Sequence, residues 1–128
     1  MPVIHTYAST PIAFEQRESL KATFGEAIAA VPGKSEQWLM CLFEENVPIY
    51  HAGNGEAPAA LVTVDVYATE PVDSAIWAEM TKVICGALNE QLGIDPARIY
   101  VKFSTTPDFG WNSIVFSRRR RQAHMPLA

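Results

Sequence analysis

Pro2 is the residue of this chain whose chemistry is most distinctive. It follows the initiator methionine, so removal of Met1 would make it the N-terminal residue. Its nitrogen would then be a secondary amine in a rigid ring, and an ordinary α-amino group titrates at about 7.7–8.0. Burial or a neighbouring positive charge would lower that pKa further. The sequence therefore predicts a general base that works near neutral pH.

A second group with suitable chemistry is Lys34, which follows Gly33. A base that removes a proton next to a carbonyl leaves an enolate, and the enolate needs hydrogen-bond donors and a nearby cation. An ammonium offers three donors and a charge, although Arg would suit bidentate recognition of a carboxylate better. The Lys34 ammonium is therefore compatible with such chemistry, although a lysine that follows a helix also suits the helix dipole.

Length, composition and charge narrow the class of protein. The chain has 128 residues with 48% hydrophobic and 19% charged, which is typical of one globular domain. Its net charge of −4 argues against nucleic acid as the main partner. No apolar run approaches the roughly 20 residues of a membrane span, and no signal peptide is visible. We therefore expect a soluble cytoplasmic protein with no membrane partner.

Cysteine and histidine usage predicts neither a disulfide framework nor a metal site. Cys41 and Cys85 are far apart and form no C-x-x-C motif, which is typical of buried free thiols. His5, His51 and His124 lack metal-ligand spacing. We also find no Gly-rich phosphate loop. The sequence thus predicts that neither a metal nor another cofactor is used.

The first half of the chain has the pattern of a strand, a helix and a strand. Residues 2–8 are predicted to form a strand, and a helix is expected between Ile12 and Val31, where apolar residues recur at helical spacing. Pro32 and Gly33 would end that helix. Residues 37–44 then have the composition of a second strand.

The second half repeats this order. Residues 59–67 are predicted to form a strand, and Asp73 is a plausible N-cap of a helix that runs to about Leu92. Gly93 would close that helix, and residues 98–104 form the last main strand. The expected buried stripe of the second helix consists of Ile76, Met80, Val83, Ala87 and Leu88.

Two β-α-β units predict an α+β fold, in which a four-stranded sheet carries both helices on one face. The other face needs cover, and oligomerisation would supply it. Residues 46–57 have the composition of a mobile loop, and Ile114–Phe116 that of a small edge strand. We expect one domain over residues 1–116 and a flexible, Arg-rich, solvated tail over residues 117–128.

Several short motifs in order give the chain a family resemblance. Pro2, Gly33-Lys34, the tetrapeptide 98–101 (R-I-Y-V), the tripeptide 110–112 (G-W-N) and Phe116 match the macrophage migration inhibitory factor family of the tautomerase superfamily in order and spacing. The resemblance covers residues 2–116. It implies a homotrimer in which three sheets form a barrel, with active sites at subunit boundaries. It also implies cofactor-free keto–enol tautomerisation of small aromatic 2-oxo acids such as phenylpyruvate.

The same resemblance implies roles for individual residues. Pro2 would be the catalytic base, Lys34 would meet the carboxylate or carbonyl oxygen of the substrate, and Tyr100 would come from the adjacent subunit. The residues that would bind substrate around the pocket are Trp38, Asp65, Tyr67, Lys102, Trp111 and Phe116. Of these, Tyr67 and Lys102 replace residues more usual in the family, and they predict a narrower, more cationic pocket that prefers free acids to esters.

Structural alternatives accompany these roles. Pro2 would also serve as a stiff first residue, and Lys34 would also suit a helix C-terminus, where a cation meets the helix dipole. Aromatic side chains such as Trp38, Trp111 and Phe116 often belong to a core or an interface. Asp65, on the polar face of its strand, would also serve a purely structural role. A second function from another class also stays open, namely a cytokine-like signalling protein, released without a signal peptide, with a weak or vestigial pocket. The family's C-x-x-C, to which thiol redox activity is attributed, is replaced here by Ala59 and Val62.

Overall fold

The computed structural model describes residues 1–117. Its helices are α1 (Phe14–Ile28) and α2 (Ser74–Leu92), and two short 3₁₀ helices span Glu36–Trp38 and Pro96–Arg98. The strands are β1 (Pro2–Ala8), β2 (Met40–Glu44), β3 (Ala60–Tyr67), β4 (Ile99–Thr106), β5 (Asp108–Trp111) and β6 (Ile114–Ser117). Within these residues, no helix combines the length and apolarity needed to cross a membrane.

The main sheet has the strand order β2-β1-β3-β4. β1 and β2 are parallel, β3 and β4 are parallel, and the two pairs join through the antiparallel contact of β1 with β3. Each parallel pair is connected by one helix, as a β-α-β unit requires. The structure therefore confirms the duplicated α+β architecture, and the antiparallel contact shows where the two halves meet.

The core lies between one face of the sheet and the two helices. In β1 and β3 buried residues alternate with half-buried ones, so that each strand turns one face toward the helices. Leu20, Phe24 and Ile28 of α1 are fully buried, as the helical spacing predicted. In α2 the buried stripe consists of Met80, Ile84 and Leu88, so Ile84 takes the central place expected for Val83.

The termini of α2 are set by local chemistry that the sequence predicted. The Asp73 side chain accepts a hydrogen bond from the Ala75 N–H at 2.9 Å, which satisfies one of the free donors of the first turn. Gly93 has a φ of 69°, the left-handed conformation that ends many helices. These caps fix the register of the helix that leads into β4.

Three segments differ from the expectations. The second strand begins at Met40 rather than residue 37, because Glu36–Trp38 forms a 3₁₀ turn after α1. β6 pairs with β5 as a separate hairpin and runs through Ser117, which is buried. The loop at 46–57 was expected to be mobile, yet it contains a tight turn and is bound to Arg98. The rest of the predicted tail, 118–128, lies outside the described residues.

The second face of the sheet carries no helix within residues 1–117. Its side chains include several exposed apolar groups, among them Met40 (61% exposed) and Tyr100 (62% exposed). They lie on the two edge strands β2 and β4. Within residues 1–117 this face is left without a covering layer, as predicted.

Candidate active site

The chain's amino terminus lies at the start of β1, beside the end of β3. Pro2 is buried and pairs with Val66 of β3. The Met1 carbonyl accepts a hydrogen bond from the Tyr67 N–H at 3.2 Å. Burial lowers the pKa of the Met1 amine, and the positive charge of Lys34 lowers it further. The terminal amine and the Lys34 ammonium therefore share one environment.

Lys34 is held at this end by the turn that follows α1. Its N–H donates to the Val31 carbonyl at 3.0 Å, and Gly33, with a φ of 78°, allows the chain to reverse. The Lys34 Nζ lies 5.7 Å from the centroid of the Tyr67 ring. Burial lowers the pKa of this ammonium. Lys34 thus forms a half-buried cation with an aromatic face as its neighbour.

No carboxylate among residues 1–117 lies within 4.0 Å of the Lys34 ammonium as an ion-pair partner. The ion pairs of this part of the chain join His5 to Glu44 and Lys21 to Glu18. A half-buried charge without a counter-ion is costly, so an anion that entered this site would be favoured.

A cavity of about 490 Å³ opens next to Lys34. Its walls are the end of α1 (Val31 and Pro32), Tyr67 at the end of β3, residues 68–73, and Ile76 in the first turn of α2. Most of these walls are apolar. The volume lies within the range of about 300–1,000 Å³ that small-molecule sites occupy. Lys34 is the one cation in its lining, and the side chains of Glu70 and Asp73 also contribute to the walls.

Aromatic side chains continue from the cavity wall toward the β5–β6 hairpin. The ring centroids of Tyr67 and Phe116 are 6.1 Å apart, those of Phe116 and Trp111 are 6.3 Å apart, and those of Trp111 and Trp38 are 5.1 Å apart. One chain therefore brings Lys34 and these four predicted residues into a continuous series of contacts.

Tyr100, Lys102 and Asp65 lie elsewhere on the sheet. Tyr100 pairs with Leu61, five positions along β3 (61 to 66) from the Val66 partner of Pro2. Five positions correspond to about 16 Å along a strand. Tyr100 is therefore far from Pro2 in the same chain.

The other two predicted residues face the uncovered side of the sheet. Lys102 is exposed and pairs with Thr63. Asp65 accepts a hydrogen bond from the Ser104 hydroxyl on the neighbouring strand, which is a structural contact. Neither residue lines the cavity described above.

Solved structures with the same fold provide the comparison. MIF2 of Leishmania major is 32% identical, with a TM-score of 0.81, over 91% of this chain and 97% of that one. The chain belongs to the macrophage migration inhibitory factor family. A macrophage migration inhibitory factor homologue from Prochlorococcus marinus is 28% identical over 90% of this chain and 99% of that one, with a TM-score of 0.74. No protein-family model matches the sequence.

More distant members of the macrophage migration inhibitory factor family share the fold. The protein of Toxoplasma gondii is 19% identical, with a TM-score of 0.77, over 89% of this chain and 99% of that one. At this identity the likeness concerns the fold alone. The family membership therefore rests on the Leishmania protein, and the agreement in fold extends well beyond it.

Sequence reasoning missed two parts of this macrophage migration inhibitory factor site. Asp73 was predicted only as an N-cap of the second helix, yet the whole segment 68–73 forms one wall of the cavity. The hydrogen bond from the Tyr67 N–H to the Met1 carbonyl was also missed, because it depends on the antiparallel pairing of β1 with β3. The apolar alternation of β1 and β3 gave no signal for that pairing direction.

The two thiols are not positioned for nucleophilic chemistry. Burial raises the pKa of Cys41 to about 11, and burial also raises the pKa of Cys85. Both are therefore protonated at neutral pH, and a protonated thiol is a poor nucleophile. Residues 1–117 also contain no cluster of three or more His, Cys, Asp or Glu side chains that could bind a metal ion.

Proposed function

We propose that this member of the macrophage migration inhibitory factor family is a cofactor-free keto–enol tautomerase of small aromatic 2-oxo acids. The observation that carries the proposal is the half-buried Lys34 ammonium, which has no ion-pair partner among residues 1–117 and lies at a mostly apolar cavity of about 490 Å³, close to the terminal amine. A substrate of this class has an anionic head and an apolar ring, which match the cation and the apolar walls.

Removal of Met1 would create the base. The nitrogen of Pro2 would change from an amide without a basic lone pair to a secondary amine at the start of β1. The same step would release the Tyr67 N–H from the Met1 carbonyl and leave a backbone donor next to the new amine. Burial and the Lys34 charge lower the pKa of the Met1 amine, and the same two causes would lower the pKa of a Pro2 amine and favour its neutral, basic form.

The reaction then needs one proton transfer in each direction. The Pro2 nitrogen takes a proton from the carbon next to the carbonyl, and the C–H electron pair becomes the C=C bond of the enolate. The carbonyl oxygen receives the negative charge and then the proton that Pro2 had taken, which gives the enol and restores the neutral base. The reverse sequence returns the keto form, so no oxidant, reductant or metal enters the balance. A positioned general base of this kind contributes about 10²–10⁴-fold to a rate.

Lys34 would stabilise the negative charge of bound substrate and enolate. Hydrogen bonds to charged groups are worth about 1.5–3 kcal/mol, and the partly desolvated site favours the upper part of that range. The Tyr67 ring lies 5.7 Å from the ammonium, and both side chains line the cavity. Phe116, Trp111 and Trp38 continue the aromatic surface on which the substrate ring would pack.

The proposal includes a homotrimer, because one chain leaves its catalytic set incomplete. Tyr100 lies at the opposite end of the sheet from Pro2, and its ring is exposed, so it would serve the pocket of a neighbouring subunit. The exposed apolar side chains of the uncovered face supply a surface for such an assembly. Lys102 and Asp65 would reach a pocket only in the same way. The cytoplasmic location and the absence of nucleic-acid and membrane partners stay predictions.

The test is an absorbance assay of enol and keto phenylpyruvate on protein whose N-terminal mass has been measured. Protein that begins at Pro2 is expected to accelerate the interconversion, and light scattering is expected to give about three times the 14.1 kDa chain mass. A processed protein with no activity would overturn the proposal and favour the cytokine-like alternative, in which the surface rather than the pocket is functional. A stable monomer would overturn the shared site.

A further inference from the structure

The Arg98 guanidinium binds a loop behind the exposed Tyr100. Its Nε donates to the Pro58 carbonyl at 3.0 Å, and its Nη2 donates to the carbonyls of Asn54 and Ala57 at 2.9 and 3.0 Å. Its Nη1 donates to the His51 carbonyl at 3.3 Å. A single side chain thus satisfies four backbone acceptors. Because guanidinium is planar with fixed donors, it fixes the position of the loop relative to the start of β4.

The loop has its own tight turn. The N–H and C=O groups of His51 and Asn54 bond each other at 3.1 and 2.9 Å. Between them Ala52 and Gly53 have φ values of 53° and 77°, the two positive angles of a type I′ turn. The Asn54 side chain also accepts from the Glu56 N–H at 2.8 Å. This turn and the Arg98 contacts hold the backbone of residue 51 in one place.

The side chain of His51 uses that fixed backbone to contact Tyr100. The two ring centroids are 5.3 Å apart and the ring planes meet at 86°, an edge-to-face contact. His51 is half-buried, whereas Tyr100 is 62% exposed. An exposed tyrosine on an edge strand otherwise has several side-chain rotamers available. Edge-to-face pairs are worth about 0.5–1.5 kcal/mol, enough to favour one rotamer over the others.

We propose that His51 is a positioning residue, which holds the Tyr100 phenol in the rotamer that reaches a neighbouring subunit's pocket. This inference rests on the proposed function, because it requires Tyr100 to take part in the reaction. Arg98 supports the same arrangement one step further from the substrate. Its Nη1 contacts both the His51 carbonyl at 3.3 Å and the His51 ring Nδ1 at 3.4 Å, and its other donors bind the carbonyls of Asn54, Ala57 and Pro58. Replacement of the His51 side chain therefore removes the ring contact and leaves the loop attached.

The test is a double-mutant cycle on trimeric protein that begins at Pro2. We expect His51→Ala to lower kcat/KM for phenylpyruvate by about two- to tenfold, the range that the ring contact supports. His51→Phe, which restores an aromatic edge, should recover most of that loss. In the Tyr100→Phe background, His51→Ala should have a much smaller effect, because the phenol it positions is already gone.

A spectroscopic measurement accompanies the kinetics. The chain has four tyrosines, and the ¹⁹F signal of Tyr100 in 3-fluorotyrosine-labelled protein is assigned by its loss in Tyr100→Phe. That signal should shift in His51→Ala and return toward its original place in His51→Phe. A purely structural role would change the melting temperature without this pattern. If His51→Ala does not fold, the experiment uses His51→Leu instead, because leucine keeps most of the side-chain volume without an aromatic edge.

The outcomes separate the two proposals. Wild-type protein that begins at Pro2 and is inactive would refute the proposed function, and the positioning role with it. If the wild-type protein is active and His51→Ala leaves kcat/KM unchanged, the positioning role alone would be refuted. If His51→Ala lowers kcat/KM by the same factor with and without the Tyr100 phenol, the positioning role is also refuted, because His51 would then act through another group.

Discussion

The two ends of the main sheet present their reactive groups in opposite ways. At the pocket end the terminal amine and Lys34 are half-buried, and the chain's own side chains contact them. At the other end the Tyr100 ring is 62% exposed, and His51 contacts it edge to face. Under the proposed function, the enclosed groups would act within their own chain, where burial lowers their pKa. The exposed tyrosine would serve a neighbouring subunit.

The largest expected effect concerns the base at the pocket end. Retention of Met1, or addition of one residue before Pro2, should lower kcat by about 10²–10⁴, because an amide nitrogen cannot accept the proton. Pro2→Gly should also weaken the enzyme strongly, since it replaces a rigid secondary amine with a flexible primary one. The measurement is phenylpyruvate turnover on samples whose N-terminal masses are known.

The matched control for this experiment is the melting temperature. Met1 forms a backbone contact with Tyr67 in the unprocessed chain, so the extended protein should fold as well as the processed one. Equal turnover in extended and processed protein would show that Pro2 is not the base. The enclosed amine at the pocket end would then have no catalytic role.

The next effect concerns the enclosed cation. Lys34→Gln should lower kcat/KM for a free 2-oxo acid by about 10–100-fold, the kinetic equivalent of one hydrogen bond to a charged group. For the methyl ester, which lacks the carboxylate charge, the same substitution should lower kcat/KM by a smaller factor. Wild-type protein should prefer the acid to the ester. Lys21→Gln is the matched control, because Lys21 lies within α1 and pairs with Glu18 at the surface. Equal losses for acid and ester would place Lys34 away from the carboxylate.

Much of this fold could be predicted because local rules and long-range packing agree. The apolar period of α1, the Asp73 cap and Gly93 all indicated the elements that the structure contains. The errors lie where a short apolar stretch leaves two conformations open. Residues 37–39 are apolar enough for a strand, yet the chain after α1 needs a 3₁₀ turn to reach the edge of the sheet.

The candidate site was predictable in its residue types and less so in its geometry. Lys34, Tyr67, Phe116, Trp111 and Trp38 were singled out, and the structure places them in one series of contacts. The contacts of Arg98 with four carbonyls could not be read from the sequence, because backbone acceptors carry no residue-type signal. The same holds for the edge-to-face contact of His51, whose spacing suggested nothing.

The third effect tests whether the two ends belong to one site. A Pro2→Gly chain and a Tyr100→Phe chain should each be impaired, and a mixture unfolded and refolded together should regain activity. If each site takes Pro2 from one chain and Tyr100 from its neighbour, random assembly at equal amounts restores about a quarter of the sites. The same proteins mixed without subunit exchange are the control. A refolded mixture no more active than the average of its components would place both groups in a single chain.

The smallest expected effect is a shift of the pH profile, and it compares the lysines at the two ends. Burial is the main cause of the lowered pKa of the terminal amine, and Lys34 adds to it. Lys34→Gln should therefore raise the pKa of the Pro2 amine without restoring its ordinary value. Protonated Pro2 is inactive, so a raised pKa means that activity is lost at a higher pH. The acidic limb of kcat/KM should move upward for this variant, even though its total activity is lower.

Lys102→Asn should move the same limb in the same direction only if a neighbouring subunit brings Lys102 to the pocket. Within one chain Lys102 pairs with Thr63, three positions along β3 (63 to 66) from the partner of Pro2, so it lies too far away to act on the amine. Lys82→Asn, a change on the exposed side of α2, should leave the limb in place and corrects for the altered net charge. A limb that stays fixed in Lys102→Asn but moves in Lys34→Gln would confine the pKa control to the enclosed end. The exposed end would then contribute the tyrosine without the cation.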